Sequence, residues 1–489
     1  MTRLSTLSRL LAGVGLALAV AACQPTSPAA STRGASRPAT SPGTAPPHAG
    51  TPASTSLEST DWTAYHRYAT GSGDGPRRLD LSNLKRAWTS PRLDGSLYGE
   101  PLVYGRDVYV ATENDTVYAL SAAHGTVVWR VHLGRPVPSG DLPCGNIEPT
   151  VGITGTPVID TARNELFVVA DEYSVSAHAI HHELYGLSTA TGDVMLRQNA
   201  DPPGVDRAGT AGALLQRASL ALDAGSVIIG YGGNYGDCGP YHGWLESVPV
   251  TGGTARFFGP DRGPGEREGA IWMGGGAPVI RDGDIWVAVG NGSVTSASGP
   301  YDDSDSVLEL SSSLRLLQFF APARWYADNA VDADLGSSVP AVLGDGFVVQ
   351  AGKSRTAYLL DGARLGGIGH PLDTIPGFCG NDVDGGVAFS GTTAYLPCES
   401  GVVAVAVNAT RHTIRQLWRT SAAGGPPVLG GGYLWTIGAG ALYALDPATG
   451  QVRQREVIGA AATDFPTPSI GDGLVLAPSS DEVHAFTGS

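Results

Sequence analysis

One stretch in the first third of the chain shows the alternation of apolar and polar positions that is typical of β-strands. Val108 and Val110 flank Tyr109, so side chains of one kind recur every second residue, which is the period of a strand. Further β-branched and aromatic runs follow at 117–120 and 127–131, after the Gly, Asn and Asp residues of tight turns. The pattern predicts three short strands joined by hairpins.

This pattern recurs along the chain. An aromatic–small–Leu triplet is followed five residues later by glycine, at 118–120 with Gly125, at 185–187 with Gly192 and at 443–445 with Gly450. Several copies open with a proline beside small and apolar residues, at Pro157, Pro278, Pro340 and Pro468. Proline is tolerated at the first residue of a strand. The repeat spans roughly 40–50 residues, which is the size of a four-stranded propeller blade.

The repeats number eight when the two ends of the folded region are combined. Residues 84–88 resemble the outer strand of a blade, whereas residues 469–486 supply only the earlier strands of one. An N-terminal strand that completes the last blade closes the ring and leaves no free sheet edge. We therefore predict an all-β, eight-bladed β-propeller. Seven blades is the alternative, if one degenerate repeat is misread.

Composition agrees with this fold and argues against nucleic acid as a partner. The 489 residues include 68 Gly and 34 Pro, as a chain with many turns requires. The formal net charge is −15, and phosphate groups need Lys and Arg rather than an acidic surface. A net negative charge also keeps an exported protein soluble. We expect a monomer that binds no nucleic acid.

The first residues predict export and attachment to a membrane. Arg3 and Arg9 precede an apolar run at 10–20, as in a signal peptide. The segment 20–23 resembles a bacterial lipobox, in which the cysteine is acylated and becomes the mature N-terminus. We predict lipidation of Cys23, for example with palmitate, and two or more acyl chains anchor a protein stably. A plain secretory peptide is the alternative.

The predicted organisation has three parts. Residues 1–22 form a lipoprotein signal peptide. Residues 23–57, rich in Pro, Ser, Thr and Ala, form a disordered tether because they contain too few large apolar residues to bury a core. Residues 58–489 form the propeller. We expect an extracytoplasmic protein that is held at the cell membrane by its lipid.

The remaining four cysteines predict two disulfides, because an even number in an exported chain favours pairing. Three pairings are possible. We favour Cys379–Cys398, which closes a short loop, and this leaves Cys144–Cys238 to link two long loops between blades. Four buried thiols is the alternative.

The repeats resemble those of pyrroloquinoline-quinone (PQQ)-type propellers. The best-matching segments are 117–125 and 442–450, and the resemblance extends over about residues 60–489. The resemblance implies the fold more strongly than an activity, because one fold hosts many activities. Some members of the family are quinoprotein dehydrogenases, and others are lipoprotein scaffolds for the assembly of outer-membrane proteins.

The resemblance also implies candidate site residues. Trp272 lies where the dehydrogenases stack a Trp under the quinone, and Asn291 lies where they bind calcium through an Asn. Asp303 lies in the region of their catalytic Asp, and with Asn291 it is the second candidate metal ligand. Lys353 resembles the Lys that contacts the quinone. An anionic planar quinone suits an aromatic floor with a cation, and calcium suits several oxygen ligands.

Two features depart from the dehydrogenase pattern. No two cysteines are adjacent, and the Gly-rich segment 233–238 contains no Glu to ligate calcium, although Asp237 offers a carboxylate there. We therefore interpret the chain as a binding or scaffolding module whose partner is a protein or a small molecule. The alternative is a PQQ- and calcium-dependent dehydrogenase for an alcohol or a sugar.

The long loops between the repeats are the predicted binding face. They are the segments 134–156, 200–217, 259–276, 292–306 and 366–386. Innermost strands and their loops surround the channel of a propeller. We therefore expect Trp272, Asn291, Asp303 and Lys353 to line one ligand pocket at the axial end of the channel.

Overall fold

Eight antiparallel sheets follow one another along the chain and confirm the predicted eight-bladed propeller. A computed structural model describes residues 60–205, 210–261, 263, 265–461 and 464–488. Each blade contributes four strands, of which the first lines the channel and the last lies at the rim. Outer strands such as Asp373–Pro376 alternate between less and more exposed residues with the period of two on which the prediction rested, whereas Thr116–Ser121, between its neighbours in blade 1, is buried almost throughout.

The strand bounds of the first four blades are as follows. Blade 1 consists of Leu102–Tyr104, Asp107–Ala111, Thr116–Ser121 and Val127–His132, and blade 2 of Val158–Asp160, Glu165–Ser174, Ala179–Ser188 and Val194–Asn199. Blade 3 consists of Ala221–Asp223, Ser226–Gly233, Trp244–Pro249 and Arg256–Phe258, and blade 4 of Val279–Arg281, Asp284–Val289, Ser306–Ser311 and Leu316–Ala321.

The other four blades repeat this plan. Blade 5 consists of Ala341–Val342, Phe347–Gln350, Thr356–Asp361 and Asp373–Pro376, and blade 6 of Ala388–Ser390, Thr393–Cys398, Gly401–Asn408 and Thr413–Arg419. Blade 7 consists of Val428–Gly430, Tyr433–Gly438, Ala441–Leu445 and Val452–Val457, and blade 8 of Ser469–Gly471, Leu474–Ser479, Glu482–Thr487 and Lys85–Thr89.

Short elements occupy the connections between blades. Leu214–Leu215 adds to the second strand of blade 3, Gly367–Ile368 pairs in parallel with the outer strand of blade 4, and Val137–Pro138 pairs with Thr150–Val151. Among the described residues, the helical elements are the α-helix Trp325–Asn329 and the 3₁₀ helices Ser139–Asp141, Ala211–Ala213 and Met273–Gly275. None of the helices in the part of the chain described by the structure is long and apolar enough to span a bilayer.

One predicted loop is partly wrong. The segment 366–386 contains Asp373–Pro376, the outer strand of blade 5, which pairs with the third strand of that blade. The segment between the third strand of blade 5 and this outer strand contains Gly366, Gly367 and Gly369, all with left-handed φ values. These glycines interrupt the strand pattern in the sequence. The outer strand is therefore recognised only from its pairing with the third strand of the blade.

The last blade is closed by the N-terminal strand, as predicted. Lys85–Thr89 pairs antiparallel with Glu482–Thr487, and Trp88 lies opposite Ala485. Because the two strands are nearly 400 residues apart in sequence, this pairing joins the two ends of the propeller. It covers the sheet edge that blade 8 otherwise exposes.

The repeated glycine receives a tryptophan from the preceding blade. The Trp129 indole N–H of blade 1 donates to the Thr189 carbonyl of blade 2 at 3.0 Å, and its ring lies against Gly192. A Cβ at Gly192 would approach Trp129 Cε3 to 2.6 Å. Trp88 with Gly125 and Trp418 with Gly450 repeat the arrangement. The Trp–Gly contact therefore explains why glycine recurs at this place.

The segment 62–75 lies inside the ring, along the inner strands. Backbone hydrogen bonds join Trp62 to Val103, Thr63 to Ile159, Ala69 to Ile280, Ser72 to Phe389, and Gly73 and Gly75 to Leu429. Blades 1, 2, 4, 6 and 7 are contacted in this way. The side chains of Trp62, His66 and Arg67 are almost fully buried. The segment therefore supplies hydrogen-bond partners for backbone groups on the inner strands of these blades.

Both predicted disulfides are formed. Cys144 in the connection to blade 2 is joined to Cys238, and Cys379 in the connection to blade 6 is joined to Cys398. The predicted signal peptide, Cys23 and the tether lie outside the described residues. Lipidation of Cys23 therefore stays a prediction.

Candidate functional site

Two sets of connections form a pocket at one end of the channel. The first set joins the outer strand of one blade to the inner strand of the next, and it carries Arg217, Trp272, Asp334 and Asp384. The second set follows the second strand of a blade, and it carries residues such as Lys353. Successive blades present these connections on the same face, so residues far apart in sequence converge on the axis.

The pocket, which we call the axial pocket, has a volume of about 1010 Å³. Trp272, Asn291 and Lys353 line it, so the structure brings together three of the four residues singled out in the sequence. Asp303 is not among the lining residues. It has a left-handed backbone (φ 61°) in the hairpin between the second and third strands of blade 4, where its carbonyl accepts from the Ser306 hydroxyl.

Lys353 is held by two carboxylates and one aromatic ring. Its Nζ lies 2.8 Å from Asp334 Oδ2 and 3.0 Å from Asp332 Oδ1. The same ammonium lies 5.4 Å from the centre of the Trp272 ring, within the range of a cation–π contact. Burial by itself lowers the pKa of Lys353, but the charges and hydrogen bonds of Asp334 and Asp332 outweigh it and raise the pKa above its ordinary value. Lys353 therefore stays protonated.

Asp334 links Lys353 to Asn291. One of its oxygens accepts the backbone N–H of Asn291, while the other pairs with Lys353. The Asn291 side-chain amide lies 3.4 Å from Glu268 Oε2. Burial, followed by the charge of Asp237, raises the pKa of Glu268 to about 7.

A second cation lies on the other side of the pocket. Arg217 is 6% exposed, and its guanidinium lies 5.6 Å from the Phe465 ring centre and 5.7 Å from that of Tyr98. It donates to the Asp464 carbonyl at 3.2 Å. The Phe465 and Trp272 rings are 6.0 Å apart. The two aromatic rings thus form an apolar floor between the two cations.

Acidic side chains dominate the wall of the pocket. The carboxylates are those of Asp237, Asp332, Asp334, Asp382, Asp384, Glu399 and Asp464, whereas the cations are Arg217 and Lys353 alone among the described lining residues. Asp384 is 5% exposed. Burial raises the pKa of Asp384 to about 8, against the opposing charge of Lys353 and with the support of Asp382 and Glu399. The wall is therefore a region of negative potential.

The disulfides hold two connections of the axial pocket. Cys379–Cys398 ties the connection that carries Asp382 and Asp384 to the second strand of blade 6, directly before Glu399. Cys144–Cys238 ties the connection before blade 2 to the segment that follows Asp237. The carboxylates on these segments are thereby fixed relative to the blades.

The residues fit a ligand that contacts an aromatic face, but not an anionic ligand. Trp272 offers an aromatic face, as expected for a quinone site. However, Lys353 is already shared by two carboxylates, and five further acids line the pocket. Within the described residues, no group of three or more His, Cys, Asp and Glu side chains is arranged to hold a metal ion. The arrangement therefore does not match a PQQ anion with calcium.

The sequence did not single out Asp332, Asp334 or Asp384 as site residues. A signal was nevertheless present, because Asp334 lies six residues before Pro340, as Trp272 lies six residues before Pro278. Equivalent positions in successive repeats reach the same end of the channel. The offset from the proline therefore indicates the pocket residues of blades 4 and 5.

The repeats are matched by a family of known proteins. Residues 77–235 match the family model described as outer membrane protein assembly factor BamB. The chain carries PQQ-like propeller repeats. None of the curated proteins matches this sequence.

Solved structures share the PQQ-like propeller over most of its length. The quinohemoprotein alcohol dehydrogenase of Comamonas testosteroni superposes with a TM-score of 0.66 at 14% identity, over 88% of this chain and 81% of its own. A europium-containing methanol dehydrogenase gives 0.66 at 12% identity, over 88% and 98%. BamB of Moraxella catarrhalis gives 0.54 at 15% identity, over 83% and 99%. At these identities the similarity shows the fold alone.

Proposed function

We propose that this PQQ-like propeller is an exported binding protein that takes a small molecule in its axial pocket. The observation that carries the proposal is the pocket itself, about 1010 Å³ in volume, with polar groups and aromatic rings converging from several blades. Ligand sites are concave and typically measure about 300–1,000 Å³. A pocket of this size fits a small molecule better than the flat face of a protein partner.

An extracytoplasmic location supports this proposal. Disulfides such as Cys144–Cys238 and Cys379–Cys398 are typical of oxidising compartments outside the cytoplasm. We propose further that acylation of Cys23 attaches the protein to the cell membrane and that residues 23–57 act as the tether. The propeller is then available to solutes outside the cytoplasm while it stays at the cell surface.

Binding is tested with two probes of opposite charge, PQQ with calcium chloride and spermidine. Each is titrated into the wild-type protein and into Trp272→Ala by isothermal calorimetry. We expect one probe to bind the wild type and Trp272→Ala to weaken that binding, because the variant removes the aromatic floor. Tyr104→Ala, at the end of the first strand of blade 1 and outside the lining of the axial pocket, is the control and should bind like the wild type. If neither probe binds the wild type, the proposal has no support.

A PQQ- and calcium-dependent dehydrogenase for an alcohol or a sugar is the second candidate. It is favoured by one observation, the convergence of Trp272, Asn291 and Lys353 on one pocket. In that case the quinone would supply the redox chemistry, and Trp272, Asn291 and Lys353 are the residues that would hold it, although Lys353 is already paired with Asp332 and Asp334. Dye-linked oxidation by the protein incubated with PQQ and calcium would support this candidate. Unchanged dye with bound PQQ would restrict the protein to binding.

A further inference from the structure

Negative charge in the axial pocket is concentrated on two neighbouring connections. Asp332 and Asp334 precede blade 5, while Asp382 and Asp384 precede blade 6, and Glu399 follows the second strand of blade 6. Lys353 is the cation placed among them, and its ammonium is shared by Asp332 and Asp334 at 3.0 and 2.8 Å. Carboxylates outnumber cations here, so the field of the wall attracts positive charge and repels anions.

Asp384 is a buried acidic residue in the wall of the axial pocket. It is 5% exposed and lines the axial pocket. No hydrogen bond to its carboxylate is formed by the described residues, whereas Asp334 accepts from both Asn291 and Lys353. A carboxylate removed from water without a donor is unfavourable. A ligand that brings N–H donors and positive charge would supply what this side chain lacks.

The chemistry of the other lining residues restricts the chemical class of the ligand further. Trp272 and Phe465 provide an apolar floor, and Tyr235, 72% exposed, stands at the pocket. Aromatic faces attract amines and also contact the methylene groups between them. A bare metal ion gains nothing from such a floor. Amino groups separated by a short aliphatic chain match both the floor and the separated carboxylates.

We propose that the axial pocket selects a small organic cation with two or more amino groups, and that it discriminates against anions. This rests on the proposed function, because it names the class of ligand for the same pocket. It reverses the expectation of a flat anion that the sequence suggested. The reversal comes from Asp332, Asp334, Asp382 and Asp384, whose convergence is a property of the fold.

Spermidine is the probe, measured by isothermal calorimetry with the wild type and with Asp382→Asn. We expect saturable binding that weakens as salt is added, and an affinity about tenfold lower in Asp382→Asn because one charge of the wall is lost. Asp345→Asn, an exposed hairpin residue of blade 5, is the matched control and should leave the affinity unchanged. Equal affinity in all three proteins would overturn the inference.

Proton release provides a second, independent readout. Asp384 faces Lys353, Asp334, Asp382 and Glu399, and at neutral pH its pKa of about 8 keeps it largely protonated. A bound cation favours the ionised form of Asp384, so binding should release up to one proton. The release is detected because the measured heat of binding then depends on the ionisation enthalpy of the buffer. Asp384→Asn should bind spermidine without this release. Binding of spermidine with the same release in Asp384→Asn would place the ligand elsewhere.

The outcomes separate this inference from the proposed function. If PQQ with calcium binds in a Trp272-dependent manner and spermidine does not, the pocket is a ligand site but the cation inference is wrong. If spermidine binds with the expected variant effects, both stand. If neither probe binds, both are without support.

Discussion

At Gly192 two requirements for glycine coincide. Its φ of +74° is a conformation that other residues adopt with strain, and the Trp129 ring occupies the space where a Cβ would lie, 2.6 Å away. Replacement by alanine therefore meets both backbone strain and overpacking. The same two requirements apply at Gly125 and Gly450, beside Trp88 and Trp418.

We predict that Gly192→Ala lowers the free energy of unfolding by about 3 kcal/mol, measured by guanidinium denaturation. Gly225→Ala is the matched control. Gly225 has a similar φ of +77°, but no atom lies within 4 Å of its added Cβ. The control should lose only about 1 kcal/mol, the cost of the left-handed backbone. Equal losses in the two variants would contradict a role for the Trp129 contact.

Asp384 predicts a pH dependence of stability. Its pKa is about 8 in the folded protein and about 3.9 in an unfolded chain, so the folded state holds its proton more tightly. The contribution of Asp384 to stability therefore falls as the pH rises from about 4 through about 8. We predict that Asp384→Asn raises the melting temperature by a few degrees at about pH 9 and by much less at about pH 4.

Asp345→Asn serves as the control for charge removal in general, because Asp345 is exposed. Its melting temperature should track that of the wild type at every pH. If the difference in melting temperature between Asp384→Asn and the wild type does not grow with pH, the pKa of Asp384 is not raised in the folded protein.

At the scale of elements, the strands form the core whereas the connections form the axial pocket. The strands bury apolar faces between blades, whereas the connections carry the polar groups of the axial pocket. Segment 62–75 forms hydrogen bonds with the inner strands of several blades. The strand Lys85–Thr89 pairs with Glu482–Thr487 and so joins the two ends of the propeller. Two disulfides then restrain those connections that carry charge.

The two disulfides should differ in their effect on stability. Cys144–Cys238 spans 94 residues and Cys379–Cys398 spans 19, and a longer loop loses more entropy in the unfolded chain. We predict losses of about 4–5 kcal/mol for Cys144→Ala with Cys238→Ala, and about 3 kcal/mol for Cys379→Ala with Cys398→Ala. Denaturant titration of the two double variants decides the order, and a reversed order would contradict the chain-entropy explanation.

At the scale of the whole molecule, the predicted lipid anchor determines where the pocket works. We predict that Cys23→Ala releases the protein into the medium or leaves it unprocessed, because the acyl chains that hold it are lost. Fractionation and the mass of the intact protein provide the measurement. Ser27→Ala, in the predicted tether, is the control and should stay with the membrane. A Cys23→Ala protein found in membranes at its normal mature mass would refute the anchor.

The sequence by itself determined the architecture, because strand formation is local. The alternation at 108–110, the glycine after each triplet and the strand at 84–88 each depend on short-range sterics and burial, and together they predicted eight blades and the closing strand. The two cysteine pairs were also deduced, from the export signal and loop lengths. The outer strand of blade 5 was missed because three glycines interrupt the pattern before it.

The net charge of the axial pocket could be determined only from the tertiary structure. Lys353 with Trp272 suggested a site for an anion in the sequence, since neighbours along the chain do not reveal what lies opposite them. Closure of the ring brings Asp332 and Asp334 onto Lys353 and places Asp384 in the same wall. Coulomb interactions depend on distance in space rather than on separation along the chain. The strands could therefore be predicted from the local sequence, whereas the charge of the pocket wall depended on closure of the ring.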